Sequence, residues 1–229
     1  MARISIVVPV LNEAHGIAAA LAALAPLRAR GHEVIVVDGG SSDGTPVLAR
    51  DAADRVISAP RGRASQMNAG ATLARGDVLV FLHADTVLPE DTDALILQGL
   101  SASGRAWGRF DVRIEGESPF LPVIAFCMNL RSRATGIASG DQGIFVCRDA
   151  FERAGRFPSL ALMEDIVLSR SLKRITPPLC LARKAVTSGR RWERNGVLRT
   201  LLLMWWLRLG FFFGASPADL ARFYDCERG

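Results

Sequence analysis

The chain is poor in lysine. Only Lys173 and Lys184 occur among 229 residues, so the formal net charge of +5 is carried almost wholly by arginine. Arginine-rich surfaces suit phosphate ligands, anionic lipid or nucleic acid, although a GC-rich genome would produce the same bias. Because no recognisable nucleic-acid-reading module accompanies the charge, we expect no nucleic-acid partner.

Paired cysteines are missing as well. The four cysteines are widely spaced and form no Cys-x-x-Cys motif, which excludes a zinc knuckle and a dithiol redox pair. We therefore expect buried, reduced thiols. The N-terminus runs directly into a strand-like pattern without the layout of a signal peptide, so the predicted location is cytoplasmic.

Two common phosphate-binding loops are also absent from the sequence. There is no Gly-x-Gly-x-x-Gly, which excludes the dinucleotide fingerprint, and no Gly-rich loop with a lysine, which a nucleotidyl- or phosphotransferase would need near the first strand. Phosphates must therefore be neutralised by a metal ion and by arginines such as Arg61 and Arg63. Solvated loop charges are the alternative interpretation of these two residues.

Apolar residues, by contrast, make up 49% of the chain, enough for one large core. Short β-branched runs alternate with segments of helical spacing up to residue 82, which predicts a parallel α/β sheet. The predicted strands of this part are 4–8, 33–37, 55–58 and 77–82. The less regular second half, with predicted strands at 107–114, 143–147 and about 179–181, is expected to extend the same sheet and form the second wall of a cleft.

Two carboxylate clusters stand at the ends of apolar runs. Asp85 follows His83 just after the fourth predicted strand, and Glu164 and Asp165 open a helix-like run over 166–173. An acid at the carboxyl end of a buried strand lies where open α/β sheets bind ligands. One acid to hold a metal and another to take a proton would suit group transfer from a diphosphate. Helix capping and a favourable position in the helix dipole are the structural alternatives.

A Gly-rich loop, Asp38-Gly39-Gly40-Ser41-Ser42-Asp43-Gly44-Thr45, follows the second predicted strand. Glycines allow a ligand to approach the backbone closely, and an acid at a strand end can bond a base edge or a ribose hydroxyl. A tight turn in which Asp43 or Thr45 caps a helix is a compatible alternative.

Taken in order, these segments resemble the family 2 glycosyltransferases of the GT-A fold. The matching segments are 6–13, 36–45, 68–70, 82–85, 140–143, 163–165 and 190–192. A small subset of short bacterial members resembles the chain along its whole length. The resemblance implies an α/β fold of the GT-A nucleotide-diphospho-sugar transferase type, with a mostly parallel central sheet flanked by helices.

The same resemblance implies an inverting transfer of a sugar from a nucleotide-diphosphate donor to an unidentified acceptor hydroxyl. Asp165 is the implied catalytic base, and Asp85 is the implied contact of a Mn²⁺ or Mg²⁺ ion. The implied donor- and nucleotide-binding residues are Pro9, Asn12, Glu13, Asp38, Arg63, Asn68, His83, Asp85, Arg191 and Trp192. Because His83 replaces the first acid of the family's Asp-x-Asp motif, we expect weakened metal binding. A catalytically silent sugar-nucleotide-binding or membrane-associated scaffold and a nucleotidyltransferase are the alternatives.

The C-terminal segment is strongly apolar over 196–213 but contains Arg199 and Arg208. A spanning helix needs about 20 mostly uncharged residues, which this segment does not offer. Three interpretations remain open: a helix packed on the domain, a contact between two copies, or a peripheral membrane contact through 197–213. The predicted organisation is therefore a glycosyltransferase domain over 1–192 and a C-terminal apolar helical segment over 193–229.

Overall fold

A computed structural model describes residues 2–226, and thus the C-terminal segment predicted over 193–229 up to residue 226. Within this range eight strands form one sheet, in the order β3-β2-β1-β4-β7-β6-β8-β5. The strands are β1 (Ile4–Val10), β2 (Glu33–Asp38), β3 (Arg55–Ser58), β4 (Val78–Phe81), β5 (Thr86–Val87), β6 (Trp107–Glu115), β7 (Ile144–Cys147) and β8 (Leu179–Ser188).

Ten α-helices flank the sheet in the same range, and a short 3-10 turn spans Gly140–Gln142. The helices are α1 (Ile17–Ala29), α2 (Thr45–Ala49), α3 (Arg63–Leu73), α4 (Thr92–Ser103), α5 (Leu121–Thr135), α6 (Arg148–Arg153), α7 (Glu164–Lys173), α8 (Arg190–Asn195), α9 (Val197–Phe212) and α10 (Pro217–Cys226).

The first four strands form the parallel half of the sheet. β1 pairs in parallel with β2 and β4, and β2 pairs in parallel with β3. Helices α1, α2 and α3 make the crossovers between them, as the alternation of patterns predicts. The predicted α/β fold class, with its flanking helices, is confirmed.

The second half extends the same sheet but with mixed strand directions. β7 is antiparallel to β4 and β6, whereas β8 is parallel to β6 and antiparallel to the unpredicted β5. The antiparallel register places Ile144 beside Phe81. The turn at Gly140–Gln142 therefore lies next to the carboxyl end of β4, where His83 follows.

The core is divided between the two faces of the sheet because side chains alternate along each strand. One face packs on α1 and α4, through residues such as Ile6, Val36 and Ile96. The other packs on α3, α6 and α7, through residues such as Val7 and Leu168. Both faces are covered, which explains why the strand sequences are apolar runs rather than alternating patterns.

The C-terminal helices pack on α7. Leu207 of α9 and Leu220 and Tyr224 of α10 are buried in one cluster with Met163 and Ile166. Within residues 2–226, no helix combines the length and the apolar character that crossing a membrane requires. The segment is thus anchored on one side by the domain.

The expectation of buried thiols is wrong for Cys127. This residue is exposed on α5, while Cys147 and Cys180 are half-buried, and all three thiols are unpaired. The reason is that Cys127 follows Phe126 on the side of α5 that faces away from the sheet. The side chain of Cys226 lies outside the described part of the chain.

Candidate functional site

The cleft beside the end of β4 brings together segments that are far apart in the sequence. Arg63 opens α3, His83 follows β4, and Asp165 stands in the first turn of α7. The full lining consists of Arg63, Met67, Phe81, His83, Gly140, Ile144, Phe157, Glu164 and Asp165. A ligand site at the carboxyl ends of parallel strands is the expected position in an open α/β sheet.

Backbone groups hold the Asp165 side chain in place. The Gly140 N–H donates to its Oδ2 at 3.2 Å, and the Ile166 N–H donates to its Oδ1 at 2.7 Å. Met163, just before α7, has a left-handed backbone with φ of 69°. This abrupt helix start directs the carboxylate at the turn that adjoins β4.

His83 is linked to the same turn. Its Nδ1 lies 3.2 Å from Oδ1 of Asp141, and its ring lies against Gly140, where a Cβ would meet Cε1 at 2.4 Å. Burial would raise the pKa of Asp141, but the interaction with His83 and the positive charges of Arg63 and Arg191 lower it to about 2. Asp141 is therefore an anion that faces the cations Arg63 and Arg191.

Glu164 and Arg63 form the charged floor of the cleft. Burial and the neighbouring Asp165 raise the pKa of Glu164, against the opposing charge of Arg63. Burial would lower the pKa of the Arg63 guanidinium, but nearby Tyr224, Glu164, Asp141 and Asp165 raise it overall. Arg63 is thus held as a cation among acids, in a position where a bound phosphate would compete for it.

Asp85 lies two residues beyond His83 but is not among the residues that line this cleft. Its side chain is exposed, and its backbone carbonyl accepts a hydrogen bond from the Ser188 N–H at 3.1 Å. Asp85 therefore lies beside the end of β8, just before α8 with its arginines.

The donor set around Asp85 fits a divalent ion that takes most of its ligands from elsewhere. Among the described residues, the Asp85 carboxylate accepts just one long hydrogen bond of 3.4 Å, from the Thr86 hydroxyl. Within residues 2–226 no group of three or more His, Cys, Asp or Glu side chains could hold a metal. Magnesium-type ions are commonly held by one or two carboxylates together with phosphate and water oxygens. Asp85 fits that role only with a phosphate-bearing ligand present.

The loop after β2 is organised by its own side chains. Asp38 is buried at the end of β2, and its Oδ2 accepts hydrogen bonds from the Gly40 and Ser41 N–H groups at 3.0 Å. Asn12, in a left-handed conformation with φ of 54°, accepts from the Ser42 N–H at 2.9 Å. Both side chains therefore shape the loop, and base or ribose binding by Asp38 remains a prediction.

Pro9 and Glu13 both lie beside the segment formed by the end of β2 and the loop that follows it. Pro9 lies in β1 opposite Val37. The Glu13 N–H donates to the Thr45 hydroxyl at 2.8 Å. These contacts bring the predicted nucleotide segments 9–13 and 38–45 together.

Asn68 and Trp192 have structural contacts. The Asn68 amide donates to the Phe157 carbonyl at 2.8 Å and accepts from the Phe157 N–H at 3.1 Å, which fixes the loop before α7. Trp192 packs, partly buried, on a cluster that includes Val112 and Leu121. Their predicted donor binding is untested.

Arg191 connects the predicted site to the C-terminal helices. Its guanidinium donates to the Tyr224 hydroxyl and lies over the Tyr224 ring at 4.2 Å from the centroid. Arg191 also contributes to the lowered pKa of Asp141. The C-terminal segment therefore positions one of the predicted diphosphate-binding residues.

Four further residues of this region are not among the predicted site residues: Asp141, Glu164, Tyr224 and Arg131. Asp141 and Glu164 stand inside motifs that were recognised, so their positions in the family pattern were an available signal. Arg131 lies on α5, and the charges of Arg208 and Asp165 both affect the pKa of its guanidinium. Its Nε and Nη2 atoms are buried and have no hydrogen-bond partner among the described residues. No local sequence pattern points to it.

A family model described as Glycosyl transferase family 2 matches residues 5–160. No curated protein matches the sequence.

Solved structures share the fold at low sequence identity. TarS from S. aureus, residues 1–349, matches with a TM-score of 0.65 at 18% identity, over 82% of this chain and 61% of that chain. The mannosyltransferase PcManGT from Pyrobaculum calidifontis matches with a TM-score of 0.64 at 24% identity, over 85% and 61%. Glucosyl-3-phosphoglycerate synthase from Mycobacterium tuberculosis matches with a TM-score of 0.59 at 18% identity, over 81% and 71%. The chain thus spans about three fifths of the first two.

Proposed function

Since the chain belongs to glycosyl transferase family 2, we propose that it transfers a sugar from a nucleotide-diphosphate donor to an acceptor hydroxyl, with inversion at the anomeric carbon. The observation that carries the proposal is the cleft shared by Arg63, His83 and Asp165. It offers a fixed carboxylate and a cation in one space, although their residues are far apart along the chain.

Asp165 is the proposed general base. In a single displacement the acceptor oxygen attacks the anomeric carbon while the bond to the diphosphate breaks, and the acceptor proton passes to a carboxylate within hydrogen-bond reach. The Gly140 and Ile166 N–H groups fix the Asp165 carboxylate, so little reorganisation is needed at the moment of transfer.

The leaving diphosphate gains negative charge, and cations near the cleft are suited to stabilise it. Arg63 lines the cleft, and Arg191 approaches from α8 where Tyr224 holds it. His83 would contact the donor from the turn after β4. A divalent ion, Mn²⁺ or Mg²⁺, would be held by Asp85, and when bound it would offset charge on the diphosphate.

Related structures with bound nucleotide-sugars suggest donors to test. PcManGT was solved with GDP-Man and Mn²⁺, and TarS with UDP-GlcNAc. We propose a nucleotide-sugar of this class as the donor, with the acceptor to be found by screening. The first experiment is a thermal-shift panel of nucleoside diphosphates and nucleotide-sugars, each with and without Mn²⁺. A panel in which no nucleotide shifts the melting temperature would contradict both the transferase and a nucleotidyltransferase.

The second experiment tests the base directly, by the release of nucleoside diphosphate from the donor found in the panel. Asp165→Asn is expected to lower the release rate by about 10²–10⁴-fold, because it removes the proton acceptor, while nucleotide binding persists. Asp149→Asn is the matched control, since Asp149 is an acid on α6 that is 81% exposed and pairs only with Arg153.

Equal release by Asp165→Asn and the wild type would remove Asp165 from this role. Binding without release by the wild type, in the presence of candidate acceptors, would support a sugar-nucleotide-binding scaffold instead. His83, which replaces the first acid of the Asp-x-Asp motif and contacts Asp141, is the observation that favours this second candidate.

A partner for the outward side of 197–213 is part of the proposal. Its apolar residues require either a second copy of the chain or a peripheral membrane contact. The two kinds of partner differ in the charge and apolar character that they would require of the exposed surface.

A further inference from the structure

Helix α9 exposes half of its large apolar side chains. Its side toward α7 and α10 buries only Thr200 and Leu207. The exposed side chains, with their exposed fractions, are Leu198 (68%), Leu202 (61%), Trp205 (66%), Trp206 (50%), Leu209 (52%), Phe212 (70%) and the adjoining Phe213 (80%). A run of this kind on a soluble domain marks an interaction surface.

Helix α5 adds a second apolar stripe, which the sequence did not suggest. Its inward side is buried against β6 through Leu121 and Ile124. Its outward side exposes large apolar residues at spacings of three or four, as one helix face requires. They are Phe120 (62%), Val123 (59%), Phe126 (65%) and Leu130 (55%).

The two stripes belong to neighbouring helices. Val197, at the start of α9, packs on the cluster that contains Leu121 and Ile124 of α5. At the other end, the charge of Arg208 on α9 acts on Arg131 of α5. The helices are therefore close at both ends, and we call their two exposed stripes together the α5–α9 face.

The two helices of this face carry charge of one sign. Neither α5 nor α9 contains Asp or Glu, and together they carry four arginines, Arg131, Arg133, Arg199 and Arg208. On α5, Arg133 is paired with Asp111 at 2.8 Å and two guanidinium nitrogens of Arg131 are buried, so the cationic character belongs to α9. A cationic, aromatic-rich helix face complements an anionic lipid surface.

A second copy fits this face less well. In a twofold dimer the same patch meets itself, so the arginines of one copy would face those of the other. No acid on either helix would compensate them. The chemistry of the face therefore favours lipid over a dimer.

We propose that the α5–α9 face docks the protein, in the plane of the membrane, on an anionic lipid surface. The helix cannot instead span the bilayer, because 16 residues at about 1.5 Å each cover about 24 Å of a hydrocarbon core of about 30 Å. Tryptophan and phenylalanine side chains would enter the headgroup boundary, while Arg199 and Arg208 of α9 would approach lipid phosphates.

Docking in this way would place the cleft beside the lipid. Helix α7, which begins with Glu164 and Asp165, packs through Ile166 on Leu207 of α9. An acceptor carried by the membrane would then reach Asp165 without leaving the surface. This consequence rests on the proposed function, whereas the docking itself does not.

The docking is tested by vesicle flotation, which requires no turnover. The probes are vesicles of phosphatidylcholine alone and vesicles with phosphatidylglycerol in equal parts. The wild-type protein is expected to float with the anionic vesicles and to remain at the bottom with the neutral ones. Its tryptophan emission should shift to shorter wavelength on the anionic vesicles, because Trp205 and Trp206 leave water.

Two variants make the test specific. Leu202→Ser/Trp205→Ser/Phe212→Ser removes three exposed side chains of the face and is expected to weaken partitioning by about tenfold or more. Val47→Ser/Leu48→Ser is the matched control, since these residues of α2 are 64% and 52% exposed outside the face. Both variants should keep the wild-type melting temperature, since the altered residues contact water.

Three results would overturn the proposal. They are wild-type protein that does not float with anionic vesicles, a triple variant that floats as well as the wild type, and a lipid-free dimer in sedimentation equilibrium that the triple variant abolishes. The last result would identify a second copy as the occupant. Loss of nucleoside diphosphate release with flotation intact would affect the proposed function alone.

Discussion

The parallel half of the sheet and the C-terminal helices are both apolar in sequence, yet they differ in how far the structure buries them. All six residues of β2 are buried, whereas α9 buries only Thr200 and Leu207. The strands lie between two layers of helices with matching apolar stripes. Helix α9 is apolar around most of its circumference, and the described chain supplies a cover for one side only. Apolar sequence therefore predicts burial only where the chain also provides the opposite surface.

The largest effect should come from the core of the sheet. Leu79 in β4 is fully buried among residues of α3, α6 and α7. Leu79→Ala is expected to lower the free energy of unfolding by about 2–5 kcal/mol, because it removes packing and leaves a cavity. Chemical denaturation monitored by circular dichroism measures this change.

The same substitution in α9 provides the comparison. Leu202 is 61% exposed, so Leu202→Ala should change the free energy of unfolding by no more than about 0.5 kcal/mol. A comparable loss in both variants would show that the outward side of α9 is covered in solution. The contrast between the two regions would then disappear.

The same contrast explains what the sequence predicted and what it did not. The strands through residue 82 were predicted because β-branched runs buried on both sides have a strong local signal. Thr86–Val87 was missed since two residues carry no periodicity. The reversed direction of β7 was missed because strand direction depends on tertiary pairing rather than on local pattern.

For the candidate site, the residue types could be predicted from the sequence, but most of the contacts between them could not. Asp165 and His83 could be placed at element ends, where ligand sites of α/β sheets occur. The link from His83 to Asp141 and the loop contacts of Asp38 depend on distances across the fold. Asp85 is not among the residues that line the cleft with Asp165. Side-chain direction after the last strand residue has no sequence signal.

An intermediate effect is expected where the turn at Gly140–Gln142 meets the end of β4. A Cβ on Gly140 would meet Cε1 and Nε2 of His83 at 2.4 Å. Gly140→Ala should therefore displace the ring, break its contact with Asp141 and cost about 1–3 kcal/mol of unfolding free energy. Release of nucleoside diphosphate should fall together with stability, since the Gly140 N–H also holds Asp165.

Gly16→Ala is the control for this substitution. Nothing lies within 4 Å of a Cβ at Gly16, and its φ is −113°. Its unfolding free energy and its release rate should match those of the wild type. If Gly140→Ala behaved in the same way, the close packing of His83 on this turn would be contradicted.

A smaller effect than that of Gly140→Ala is expected in α7, the helix that packs on both the sheet and α9. Glu164 opens α7 and is only 6% exposed, and burial together with Asp165 raises its pKa above the ordinary value of 4.5. A carboxyl with a raised folded-state pKa binds its proton more tightly in the folded state. Wild-type stability is therefore lost as the pH rises from the unfolded pKa through the folded one.

Glu164→Gln removes this loss and should raise the melting temperature at neutral pH by a few degrees, which corresponds to about 1 kcal/mol of unfolding free energy in a chain of this size. Melting curves from pH 4 to 8 should show the two proteins converging in acid and separating above pH 4.5, whereas a constant difference at every pH would mean that Glu164 keeps its ordinary pKa in the fold. Asp149→Asn is the control, because it replaces a carboxylate that is 81% exposed on α6, outside the cleft.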